Sequence, residues 1–139
     1  MKLKTISFFL FTILLAVILV VSCISGPVTI PEDITAMELI QRAQEASDRN
    51  RYSVSLEYYN EVLERFPYDL ESICAAEYEI AFIYYKQKKY DIARSGFNAL
   101  LLRYDTTGEG MLPPQFRILS NIILSKIEEQ ETAGKKKTS

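Results

Sequence analysis

The chain has 139 residues, 18 acidic against 16 basic, with no histidine and two cysteines. A slightly acidic balance gives no electrostatic footprint for phosphate backbones, so nucleic-acid binding is not expected. Without histidine, the commonest acid–base and metal-ligating side chain is missing. Behind an N-terminal leader there is little over a hundred residues, enough for one core and not for two domains.

Lys2 and Lys4 precede an apolar run from Phe8 to Val21, which closes on Val20-Val21-Ser22-Cys23. A basic start, an apolar segment of roughly 14 residues and a small residue before a cleavage point is the grammar of an export signal. The run is shorter than the roughly 20 residues that span a bilayer as a helix. Val20-Val21-Ser22-Cys23 resembles a bacterial lipobox, with Val20 at the usual leucine position, and is similar to the looser boxes of spirochaetes. The resemblance implies a signal peptide over 1–22 and an acylated Cys23, palmitate being one such chain. An uncleaved anchor helix and plain secretion are the alternatives, and all three put the rest of the chain outside the cytoplasm. With Cys23 acylated, Cys74 is unpaired and no disulfide framework exists.

Residues 23–34 form the lipidated start and a linker, kept extended by Gly26, Pro27 and Pro31. Thr35-Ala36-Met37-Glu38 has the spacing of a capping box, and a helix follows to Ala46 or Asp48. Asp48-Arg49-Asn50-Arg51 is a polar break. Ser53 opens a second helix to Arg65, which Pro67 ends. Asp69 starts a third, running to Lys86. Gln87-Lys88-Lys89 breaks the chain again, and a fourth helix covers Asp91 to Arg103. A loop over Thr106 to Gly110 leads to Pro113-Pro114 and a fifth helix, Gln115 to about Glu129. No segment keeps strand alternation, so the expected class is all-α. The helical domain covers 35–130, and 131–139, with Lys135, Lys136 and Lys137, is a disordered basic tail.

The helices come in pairs with a shared pattern. Ala43, Tyr52, Ser55 and Tyr59 in the first pair match Ala81, Tyr90, Ala93 and Phe97 in the second, with Ile80, Tyr84 and Leu100 at further repeat positions. Antiparallel helices cross closely only where small side chains leave room and aromatics fill the space beside them. The pattern resembles the tetratricopeptide repeat (TPR), with units starting about 38 residues apart, at Ala36 and Cys74, against the usual roughly 34. Phe116, Leu119, Ser120 and Ile123 then take helix-A positions in a terminal half-repeat. Together with the lipobox, this is similar to the short-repeat lipoproteins of the bacterial envelope, among them outer-membrane assembly lipoproteins and periplasmic repeat proteins that work beside the Tol-Pal system. The resemblance implies antiparallel hairpins and a protein-binding role, without a cofactor.

Catalysis finds no support in these residues. Cys74 lacks an obvious partner base and reads as a small buried hydrophobe. Glu57, Glu61, Glu64 and Arg65 read as a solvated helix face, and Glu128, Glu129 and Glu131 do not form a metal cluster. The chain is expected not to be an enzyme.

Surplus apolar surface falls on the third helix. Ile80, Ala81 and Tyr84 serve the hairpin, while Tyr78, Phe82 and Tyr85 make a second stripe. The first helix presents Met37, Ile40, Gln41 and Gln44 to the same side. The stripe either packs on the first and fifth helices or forms a groove for a peptide or helix, to which tyrosine is suited. The expected function is a membrane-anchored interaction scaffold that holds another envelope protein, at the inner or outer membrane and facing the periplasm or the cell surface. The alternatives are an accessory subunit of a transport system with a small molecule in an aromatic pocket, and a structural spacer.

Overall fold

A computed structural model describes residues 29–108 and 110–137; the leader, Cys23 and the start of the linker lie outside them. Among the described residues all regular structure is helical, in five elements: α1 (Ala36–Asp48), α2 (Tyr52–Arg65), α3 (Leu70–Lys86), α4 (Tyr90–Thr107) and α5 (Pro114–Lys137). None of these helices is long and apolar enough to cross a membrane.

Each helix packs on its predecessor through a short connection, which makes neighbours antiparallel. Contacts of α1 with α3 and of α3 with α5 set these three side by side in one layer, with α2 and α4 in the other.

Local chemistry fixes the ends. The Glu38 backbone N–H donates to Thr35 Oγ1 at 3.2 Å, and Thr35 N–H donates to Glu38 Oε2 at 2.9 Å, completing the capping box. Ile34 and Leu39, on either side of it, are both buried in the first core, as a hydrophobic staple requires. Asp69 caps α3 by accepting from Ser72 N–H at 3.1 Å. The described end of the linker is held on the domain: Ile30 packs on the first core, and the Arg65 guanidinium donates to Pro31 O at 2.8 Å.

Both hairpin turns use one device. Arg51 N–H reaches Ala46 O and Asn50 N–H reaches Ser47 O, while Lys89 N–H reaches Tyr84 O and Lys88 N–H reaches Tyr85 O. This is the paired bonding of a Schellman motif, with Asn50 (φ 56°) and Lys88 (φ 60°) in the left-handed position. The two turns are 38 residues apart.

The cores repeat at the same interval. Ala43 and Ala81, Ser55 and Ala93, Tyr59 and Phe97, and Val62 and Leu100 are all at most 1% exposed. In the first hairpin Ser55 Oγ donates to Ala43 O at 2.7 Å, bringing the two backbones close. In the second, a residue that the sequence pattern did not single out also comes close to Ala81. A Cβ on Gly96 would stand 2.9 Å from Ala81 Cβ, so glycine is needed there.

Two helices run further than expected. α4 continues through Thr106, whose hydroxyl bonds Leu102 O at 2.9 Å, to Thr107. α5 continues to Lys137, through the segment expected to be a disordered tail. Glu131 pairs with Arg94 on α4, which ties down those last turns, and Gly134 alone costs a helix only about 1 kcal/mol.

Candidate partner-binding face

The proposed contact residues divide between surface and core. Met37 is 71% exposed on α1, and Gln44 and Gln41 are exposed on the same helix. Ile40 is not a surface residue. It shares a face with Ala36 and Ala43 and is buried in the first core, because residues three and four apart point the same way on a helix.

Tyr78 is likewise a core residue, 7% exposed, with its ring 5.6 Å from that of Phe97 on α4 and 5.7 Å from that of Phe116 on α5. Burial, with the Glu79 carboxylate beside it, pushes its hydroxyl up to about 12. Phe82 stacks between Tyr78 and Tyr85 at 5.8 and 5.7 Å, and Tyr85 meets Tyr90 at 5.9 Å. The stripe is therefore a row of rings joining α5, α3 and α4. Its inner end is sealed, and Phe82 and Tyr85 remain half-buried.

Polar groups border the row. Lys86 Nζ bonds Ser47 Oγ on α1 and lies 5.3 and 5.4 Å from the ring centres of Tyr52 and Phe82. One cation thus ties the C-terminal ends of α1 and α3 together. Burial raises the Glu79 carboxyl above its ordinary range; Lys86 opposes the shift and Asp48 adds to it. The Tyr59 hydroxyl is buried with no hydrogen-bond partner. Its pKa is strongly raised by that burial, with Glu79 and then Asp48 adding to it.

On α3 Ala75, Glu79, Phe82 and Lys86 form a half-buried stripe, and the 38-residue interval assigns Met37, Gln41, Gln44 and Asp48 to the same place on α1. On α5 the interval lengthens. Ala76, Ile80 and Ile83 of α3 pack on the first core, and Phe116, Ser120 and Ile123 of α5 take the same place on the second, 40 residues on. Ser120 is fully buried with its hydroxyl unpartnered. In this register Leu119, 39% exposed, continues the face of Glu79. The sequence reading missed Leu119 as a surface residue. The available signal was the apolar density of Ile118-Leu119 and Ile122-Ile123-Leu124, which exceeds what a one-sided helix buries.

No group of three or more His, Cys, Asp and Glu among the described residues could hold a metal ion. Cys74 is buried, and that burial pushes its thiol up.

No family model matches the chain, and no solved structure matches it. An uncharacterized protein of Treponema pallidum (strain Nichols) is 35% identical over 130 residues, taking in 90% of this chain and 52% of that protein. The chain therefore spans about half the length of this curated relative.

Proposed function

We propose that this is a TPR-type lipoprotein, anchored through Cys23, whose helical layer α1–α3–α5 holds another protein or peptide of the cell envelope. The observation that carries the interaction role is the face running from exposed Met37 and Gln44, over half-buried Phe82 and Tyr85, to Leu119. An apolar band with polar edges on a small protein is characteristic of a contact surface. The repeat assignment is supported by hairpins that duplicate at 38 residues, with small residues (Ala81, Ala93 and Gly96) at the crossing and Phe97 filling the space beside it. The anchor is supported by the leader and by its likeness to spirochaete lipoboxes, Treponema pallidum being a spirochaete. Two or more acyl chains hold a protein stably where one is marginal. A small-molecule role has less to build on, because Phe97 and Phe116 already fill the space around Tyr78.

The test has two arms. A clickable fatty acid should label the wild type and not Cys23→Ser; equal labelling removes the anchor. Purification of the full chain from native membranes should retain a partner that Met37→Asp/Gln44→Arg loses at unchanged melting temperature. An identical set of co-purifying proteins from both would remove this face from the account.

A further inference from the structure

We infer that the end face of α5 is a self-association surface, on which two copies of this chain pair antiparallel about a two-fold axis at Ile122. The inference is separate from the proposed function, since it uses neither α1 nor the ring row of α3.

The 40-residue register places Ile118 and Ile122 of α5 where α3 has Tyr78 and Phe82. On α3 Tyr78 is packed by Phe97 and Phe116, and Phe82 stacks between Tyr78 and Tyr85. On α5 the equivalent side chains are bare: Ile118 is 61% exposed and Ile122 is 45% exposed. At 3.6 residues per turn they lie roughly opposite the buried row Phe116, Ser120, Ile123 and Ile127. A molecule docked on Ile118 and Ile122 therefore meets α5 alone and clears α3 and α4.

Charge points to a second copy, set antiparallel, as the occupant. Arg117 and Glu128 lie on one flank of the Ile118–Ile122 stripe, both exposed, with Arg117 3.6 Å from exposed Asp105. In an antiparallel pair centred on Ile122, Arg117 of one copy comes level with Glu128 of the other, to within about 1.5 Å along the axis. The symmetry makes this contact twice. Gln115 comes level with Glu129, and Lys126 lays its aliphatic stem over Ile118. The surface is thus complementary to itself in the antiparallel direction, and a two-fold contact of this kind closes at two copies.

The test is disulfide trapping of the full chain in native membranes. Ile122→Cys lies on the axis and should give an oxidant-dependent dimer of this chain, where wild type and Ser95→Cys on α4 give none. Adding Arg117→Glu to Ile122→Cys should lower the trapped dimer by about five-fold or more, since both ion pairs become like-charge contacts. Adding Glu128→Arg to that variant should restore it, a recovery that a misfolded single variant does not permit. Ile122→Cys that stays monomeric, or is trapped on a different protein, overturns the inference, as does a dimer indifferent to the charge reversals.

Discussion

Asn50 and Lys88 stand 38 residues apart and hold the same left-handed conformation, at φ 56° and 60°, each closing a helical hairpin with the same pair of backbone hydrogen bonds. Asparagine tolerates that region better than lysine does, and glycine best. Lys88→Gly should therefore stabilise the fold by up to about 1 kcal/mol. Lys88→Val should destabilise it by a similar or larger amount. Chemical denaturation of both variants measures the difference.

The second hairpin depends on Gly96. Gly96→Ala places a methyl 2.9 Å from Ala81 Cβ, an atom fixed to the backbone that cannot swing away. Overpacking costs about 1–3 kcal/mol, which exceeds the roughly 1 kcal/mol alanine gains in a helix. Gly134→Ala in α5 meets nothing within 4 Å, so there the helix gain should stand unopposed. Opposite signs in denaturation midpoint are expected for the two substitutions.

Ser55 and Tyr59 make a second contrasting pair. Ser55→Ala removes a buried 2.7 Å bond to Ala43 O and should cost about 0.5–1.5 kcal/mol. Tyr59→Phe removes a buried hydroxyl that has no partner and should be neutral or stabilising by up to about 1 kcal/mol. The repeat already contains that outcome, since Phe97 fills the matching site without a hydroxyl.

Glu79 should make stability fall as pH rises. Its carboxyl is raised in the folded state, chiefly by burial, so the folded protein keeps that proton longer than the unfolded chain does. The favourable neutral form is fully present below the unfolded pKa of about 4.3 and is lost as pH climbs through the raised folded value. Glu79→Gln should melt higher than wild type at neutral pH, and the gap should close on acidification to pH about 4. A gap that does not change with pH would mean the carboxylate is not held in a desolvated place.

Much of this architecture was legible in residue types at fixed spacings. Thr35 with Glu38, and Asp69, marked helix starts because capping is local chemistry, and the 38-residue interval appeared because both crossings demand small residues and a neighbouring ring. What stayed hidden depends on where helices sit in space. A helical wheel groups Tyr78 with Phe82 and Tyr85, but it does not say that Phe116 from α5 covers Tyr78 alone. Ile40 passed for a surface residue because its burial comes from neighbours distant in sequence. α5 outran its expected end because the tie between Arg94 and Glu131 spans 37 residues.

The central claim is that the α1–α3–α5 face engages another envelope protein, and photo-crosslinking in native membranes addresses it most directly. A photoreactive amino acid in place of Gln44, exposed on that face, is compared with one in place of Asn98, exposed on α4. The account predicts a discrete adduct with a different protein from position 44 and none from position 98. No adduct from position 44, or the same products from both positions, would contradict it.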